Sequence, residues 1–272
     1  MKFNSVVIVD AVRTAIGGFA GSLSGLTPEQ MGTATAQEVI KRSAVDAKQI
    51  DHAVYGHIIP TAAQDAYLAR HIALNSGLAE SSAALNVNRL CGSGLQAIIS
   101  AAQMIESGDS KLALAGGAES MSQGGYLLPK VRSGLRMGHS TVHDLTLGTL
   151  SDPFGTGHMG ITAEHIAEKY GFTREQLDEF ALASHQKAAT APAEGRFAEQ
   201  IVPVVVKNGR EEVLFATDEH VRAQVSLADL AKLKPAFKKD GLVTAGNASG
   251  INDGAASLLL ADVNTAAELG LK

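Results

Sequence analysis

The sequence predicts an α/β fold in which a mixed, mostly parallel sheet with crossover helices is interrupted by an inserted α+β segment. Three observations predict it. Short β-branched runs alternate with helical patterns over residues 5 to about 120. The pattern then changes to a Gly-, Ser- and Met-rich stretch followed by polar helices and a hairpin signal. From about residue 245 a glycine-rich loop and an apolar run return to the earlier style.

Taken in order, Val6–Val9 reads as a buried first strand. Thr27 caps a helix, with Pro28 in its first position and Gln30 completing a capping box, and the apolar spacing carries that helix to about Ser43. His52–Ile59 is the second strand, and Tyr67–Asn75 a helix closed by Ser76-Gly77. Ala84–Val87 is the third strand, Ser93–Ser107 a long helix ended by Gly108, and Lys111–Ala115 the fourth strand. Within the insertion, Thr162–Tyr170 and Arg174–Glu194 are helices, and Ile201–Lys207 and Glu211–Thr217 flank Asn208-Gly209, a hairpin signal. A strand around Ala256–Ala261 and a short helix after Asp262 close the pattern. The domain expectation is therefore residues 1–119 with 246–272 as one α/β domain, and 120–245 as the insertion.

Bulk properties narrow the function classes. With 272 residues, 45% of them hydrophobic, the chain is long enough to bury a core. A formal charge of −5 argues against a general nucleic-acid binder, because phosphate contacts need a basic surface. No run approaches the ~18 apolar residues of a membrane span. The N-terminal apolar run is too short for a secretory signal, so the expected location is the cytoplasm. One cysteine excludes an internal disulfide and turns attention to thiol chemistry.

That cysteine, Cys91, lies in LNVNRLCGSGLQAIISAAQMI at 85–105, where a strand ends and a helix begins. A sharp strand-to-helix turn presents a side chain at a sheet's edge. Unpaired amides and the dipole at a helix start favour an anion there, and the same amides can stabilise an oxyanion on a bound carbonyl. Gly92 and Gly94 would let a substrate approach the backbone. Against this stands the ordinary reading of a lone cysteine as a small buried hydrophobe. On the local pattern the two readings weigh evenly. The helix that follows is apolar on almost every side, with only Gln96, Ser100 and Gln103 polar along its middle. Such a helix belongs between two sheets, and the chain supplies strands for one.

NRLCGSGLQAI at 88–98 closely resembles the nucleophile motif of the thiolase family. The likeness continues through VRTAIGGF at 12–19, GGAESMS at 116–122, GHMGITAEHIAEKYG at 157–171, GRFAEQIVPV at 195–204, KLKPAF at 232–237 and TAGNASGINDGAA at 244–256. It is closest to the bacterial biosynthetic and broad-range 3-ketoacyl-CoA thiolases. The resemblance implies a duplicated α/β fold in five layers with buried central helices, and an acyltransferase in which Cys91 takes an acyl group from acyl-CoA. The acyl-enzyme serves Claisen condensation or thiolysis of 3-ketoacyl-CoA. The resemblance also makes residues 120–245 a CoA-binding loop domain. Leu150, His158 and Met159 match positions around the pantetheine and acyl group, and Arg222 a position against the adenine. Ala236, Phe237, Ala245 and Ser249 match positions along the pantetheine. Alone, His158 reads as structural and Phe237 and Leu150 as core; His52, His57, His71 and His139 match no role. CoA thioesters are substrates, no metal or further cofactor is implied, and a homo-oligomer is expected.

The family continues into a second half with a Gly-His-Pro histidine, an Asn-Glu-Ala-Phe segment and a second cysteine. None of these occurs in the 272 residues, which implies a fragment lacking the C-terminal catalytic half and of little or no activity alone. A ketoacyl-synthase-like condensing enzyme is disfavoured by the insertion. A non-catalytic CoA-binding or assembly module is the alternative from another class.

Overall fold

A computed structural model describes residues 5–271. The chain divides into two compact units. The first comprises the chain up to Gly124, Glu199–Glu219 and the chain from Asn252. The second comprises Gly125–Ala198 and His220–Ile251.

In the first unit the strands are β1 (Val6–Thr14), β2 (Gly17–Gly18), β3 (His52–Gly56), β4 (Ala83–Val87), β5 (Leu112–Ser120), β6 (Ile201–Val202), β7 (Val204–Asn208), β8 (Glu211–Phe215) and β9 (Asn252–Asp262). The main sheet has the order β6-β1-β9-β5-β3-β4, with β2 paired to β9. It is mixed: β9 runs antiparallel to β1 and β5, while β3 is parallel to β4 and β5, and β6 parallel to β1. Three helices precede β5 in the chain: α1 (Pro28–Ser43), α2 (Leu68–Asn75) and α3 (Ser93–Glu106). Thr27 and Gln30 form the expected reciprocal cap of α1, with Oγ1 of Thr27 accepting from the Gln30 amide at 3.2 Å.

Strand alternation sorts the core onto two faces. Ala53, Tyr55, Leu112, Leu114 and Leu259 face the cluster built with Met31, Val39 and Ile40 of α1 and Leu68 and Ile72 of α2. Val54, Ala113, Ala115 and Leu260 face the other way, onto Ala97, Ala101, Ala102 and Ile105 of α3. The α3 side is the less covered one. Leu95 of α3 is 65% exposed, and Leu85 and Ile8 on the flanking strands are 41% and 57% exposed. Among the described residues one sheet contacts α3, and its far face is open.

Several expectations shift. The first strand runs to Thr14, and Val7 and Ile8 are exposed rather than buried; Ile8, paired with Leu260, lies on the α3 side of the sheet, which is bare beyond α3. The second strand stops at Gly56, because the Ile58 and Ile59 amides donate to the Glu119 carboxylate at 3.0 and 2.9 Å instead of to a ladder. The segment 201–207 divides at Pro203, which lacks an amide to donate. Ile201 and Val202 pair with Arg13 and Thr14, and β7 then forms the hairpin with β8. For this reason Glu199–Glu219 groups with the main sheet, although the expected insertion spanned 120–245. The hairpin turn is Gly209-Arg210, one residue beyond Asn208-Gly209, with Gly209 at φ +65°.

The second unit carries α4 (Leu145–Thr149), α5 (Met159–Tyr170), α6 (Arg174–Ala193) and α7 (Leu227–Ala231). Helix α5 starts three residues before the expected Thr162, because His158 Nδ1 caps it by accepting from the Gly160 amide at 3.0 Å. The buried Glu164 carboxylate accepts from the Leu242 and Val243 amides at 2.9 and 2.8 Å, which anchors the 241–244 segment to α5. No helix among the described residues is long and apolar enough to cross a membrane.

Candidate active site

The candidate nucleophile sits where β4 hands over to α3. Cys91 is exposed and directly precedes Gly92, the N-cap of α3. Three local devices make the turn. The Asn88 side chain accepts from the Leu90 amide at 3.0 Å. Leu90 adopts φ +49°, a left-handed conformation unusual for a leucine. The Arg89 carbonyl accepts from the Gly92 amide at 3.1 Å. The Gly94 and Leu95 amides of the first turn of α3 follow the thiol in the chain, where a helix leaves N–H groups without intrahelical partners, while the Ser93 amide donates to the Leu90 carbonyl.

The seat of this helix start is a pair of glycines that sequence reading passed over. A Cβ on Gly56 would lie 2.7 Å from Ser93 C and 2.9 Å from Gly94 N, and one on Gly117 would lie 3.7 Å from Gly94 Cα. Helix α3 therefore rests its first turn on the bare backbone of β3 and β5. Around Cys91 opens a cleft of about 390 Å³ walled by Ile58, Leu90, Ile98, Ala118 and Leu258. Its size falls in the range of small-molecule sites. Nothing stands within 4 Å of a Cβ added at Gly94, which leaves that side of the turn open to a ligand.

Buried charge lies under the same cleft. Glu119, which lines it, has its carboxyl raised above the ordinary value by burial, partly offset by His57 and by the amides of Ile59 and Ile58. His57 donates through Nδ1 to the Ala118 carbonyl at 3.0 Å, and its Nε2 lies 3.5 Å from Asp65 Oδ2. Burial acts to raise the Asp65 carboxyl, but hydrogen bonds from Thr61 and Ala62 and the His57 charge outweigh it, so it is lowered. His57 matched no role in the sequence reading; it packs these two carboxylates against the ends of β3 and β5.

The remaining sequence candidates lie in the second unit. His158 stacks on Phe237, ring centroids 4.7 Å apart and planes 20° from parallel. The stack passes over Gly160, where a Cβ would meet the Phe237 ring at 2.3 Å. Met159 donates its amide to the Leu150 carbonyl at 2.8 Å, and Ala236 to the Val243 carbonyl at 2.9 Å. Leu150, His158, Met159, Ala236 and Phe237 are thus joined through α5 and its neighbours. Arg222 belongs to another group: its amide donates to His185 Nδ1 at 3.1 Å, and the His185 and His220 rings lie 6.4 Å apart. Burial, with the His220 and Arg222 charges, lowers His185 below its ordinary value. Ala245 and Ser249 are exposed, and the Ser249 hydroxyl bonds locally to the Gly250 carbonyl at 3.3 Å.

Comparison with known proteins places this arrangement. Residues 6–264 match the family model described as thiolase, N-terminal domain. The chain belongs to the thiolase family. It is 49% identical over 268 residues to the beta-ketothiolase BktB of Cupriavidus necator, covering 98% of this chain and 68% of that one. It is 47% identical to an acetyl-CoA acetyltransferase of Pseudomonas aeruginosa, with the same coverage. Among solved structures, the acetyl-CoA acetyltransferase of Bacillus anthracis superposes with a TM-score of 0.94 at 44% identity, covering 98% of this chain and 68% of that one. Human mitochondrial 3-ketoacyl-CoA thiolase, solved in complex with CoA, gives a TM-score of 0.94 at 35% identity, covering 98% and 67%. The expected thiolase-type α/β fold is therefore present, and the final third of these thiolases has no counterpart in the 272 residues.

Proposed function

We propose that this chain is the acyl-accepting part of a thiolase-type acyltransferase, with Cys91 as the nucleophile and acyl-CoA as the donor. The observation that carries the reading is an exposed thiol one residue before the cap of α3, inside an apolar cleft, in a member of this family. The Cys91 sulfur attacks the acyl carbonyl and forms a C–S bond. The tetrahedral oxyanion collapses, the bond to the CoA sulfur breaks, and the proton given up by Cys91 ends on the released CoA thiol. Covalent capture divides a difficult Claisen step into two easier ones. Preorganised donors aimed at the developing oxyanion supply the largest single stabilisation in such steps, and the first-turn amides of α3 are the available donors.

In this reading Leu150, His158, Met159, Ala236, Phe237, Ala245 and Ser249 contact the pantetheine arm, and Arg222 the adenine end, where a guanidinium stacks on a base and meets phosphate. The stacked His158–Phe237 pair and the basic His185–Arg222 neighbourhood support those assignments. CoA thioesters are the only small-molecule partners, the protein works in the cytoplasm, and it assembles as a homo-oligomer. The 272 residues contain one cysteine and no Gly-His-Pro sequence, so the half-reaction at Cys91 proceeds while complete thiolysis or condensation by this polypeptide stays near background. Each general acid–base partner contributes ~10²–10⁴-fold.

Incubation with acetyl-CoA followed by intact-mass measurement tests the reading. One acetyl group on the wild-type chain and none on Cys91→Ser is the expected result. CoA binding without an adduct would instead indicate a non-catalytic CoA-binding module, and robust cleavage of acetoacetyl-CoA would mean that a residue within this chain supplies the base.

A further inference from the structure

The helix start just after Cys91 contains a hydroxyl that the reaction does not use. Ser93 is 1% exposed. Its Oγ accepts from the Arg89 amide at 2.8 Å and donates to the Leu90 carbonyl at 2.6 Å. The Leu90 carbonyl also accepts from the Ser93 amide at 2.9 Å. A serine at a helix start ordinarily caps its own helix by accepting from an amide two or three residues ahead. Ser93 does the reverse. It is the first residue of α3, its side chain reaches backward, and both of its bonds go to the two residues before the cysteine.

The target of those bonds is the strained residue. Leu90, at φ +49°, occupies a region that leucine seldom enters, and such residues persist only where their surroundings over-determine them. Here the surroundings are Asn88 on the amide side and Ser93 on the carbonyl side. Ser93 in turn is seated closely against the bare backbone of Gly56, where an added Cβ would lie 2.8 Å from Ser93 Cβ. Rigidity therefore passes from β3 through Ser93 to the Leu90 backbone, and the next residue is Cys91.

We propose that Ser93 is a positioning residue: its hydroxyl locks Leu90 in the left-handed conformation that aims Cys91 at an acyl carbonyl. The proposal rests on the reading of Cys91 as acyl acceptor. The experiment uses the full chain as wild type, Ser93→Ala, Leu90→Asn and the double variant, because asparagine enters the left-handed region far more readily than leucine. Three quantities are read: the rate of acetyl transfer from acetyl-CoA to Cys91 by intact mass, the rate of iodoacetamide alkylation, and the thermal midpoint. Ser93→Ala should slow acetyl transfer by roughly 10–100-fold, since a misplacement of about 1 Å costs on the order of 10²-fold. Alkylation, which needs no oriented carbonyl, should change far less. Ser93→Ala should cost several-fold less in the Leu90→Asn background, where the side chain itself favours the required φ. Equal costs in the two backgrounds, or parallel losses of acetylation, alkylation and thermal midpoint, would overturn the assignment. A wild type that is acetylated and a Ser93→Ala that matches it would overturn the assignment alone. A wild type that takes no acetyl group would overturn the acyl-acceptor reading and this assignment with it.

Discussion

Substituting Gly56 by alanine tests whether the glycine seat under α3 sets the position of Cys91. The added Cβ would lie 2.7 Å from Ser93 C, 2.8 Å from Ser93 Cβ and 2.9 Å from Gly94 N, where ordinary contact begins at 3.4 Å. All three obstacles belong to one helix turn and two are backbone atoms, so no side-chain rotation relieves them. The start of α3 must lift by about 0.7 Å, while Ala97, Ala101 and Ile105 hold the rest of the helix on the sheet. Overpacking of this kind costs about 1–3 kcal/mol, equivalent to a thermal midpoint lower by roughly 5 °C in a chain of this size. Cys91 lies two residues before the displaced Ser93, so acetyl transfer should fall on the order of 10²-fold. Gly117→Ala is the graded control: its Cβ would meet Gly56 O at 3.3 Å and Gly94 Cα at 3.7 Å, a contact that a small shift absorbs. Stopped reactions with acetyl-CoA read by mass, beside a thermal melt, make the comparison. A Gly56→Ala chain that melts and acetylates like the wild type would refute the account of the seat.

Two further outcomes follow from the same structure. The bare side of α3, with Leu95 65% exposed and Ile98 and Ile99 half-buried, should bind ANS or drive self-association. Leu95→Glu should reduce both without lowering the melt, whereas a monodisperse wild-type monomer that binds no ANS would show the surface to be covered. The Asp218 carboxylate accepts from Arg13 Nη1 and Nη2 at 2.7 and 3.0 Å and from the Ile16 amide at 2.9 Å. Burial acts to raise its pKa, but Arg13 and the Ile16 amide outweigh burial, so the group is lowered from its ordinary 3.8. A lowered carboxylate stabilises the fold above its unfolded value and loses that contribution as the pH falls through its folded value. Asp218→Asn should therefore cost about 1–3 kcal/mol at pH 7, and the gap in thermal midpoint from wild type should close below pH 3.8. A gap that stays constant with pH would contradict the ion-pair account.

What the sequence disclosed was what short-range chemistry decides. The Thr27–Pro28–Gln30 cap, the helix stop at Gly108 and the hairpin after β7 are local, and each is found within a residue of its expected place. The position of Cys91 at a strand-to-helix junction was legible for the same reason. What was hidden depends on contacts between distant segments. Gly116-Gly117 reads as the end of a strand, yet β5 runs through both to Ser120, because the close approach of Ala256 leaves no room for a side chain. Gly56 reads as an ordinary strand residue until α3 is seen resting on it. The early end of β3 could not be read from the apolar run that follows it, since its cause is the carboxylate of Glu119, some sixty residues away. Ser93 resembles any serine at a helix start until its bonds are seen to point backward. The separation of Ile201 and Val202 from the hairpin had a signal in Pro203, but which strand they would join had none.

The central claim is that the folded turn makes Cys91 a better nucleophile than the same thiol in an open chain. Because Cys91 is the only cysteine, its acetylation can be followed without ambiguity. The direct measurement is the second-order rate of acetyl transfer from acetyl-CoA to Cys91 at pH 7, read by intact mass and compared between the native chain and the chain unfolded in urea. Only the folded turn holds the helix-start amides beside the attacked carbonyl, so the native rate should exceed the unfolded rate. A native rate equal to or below the unfolded one would contradict the account.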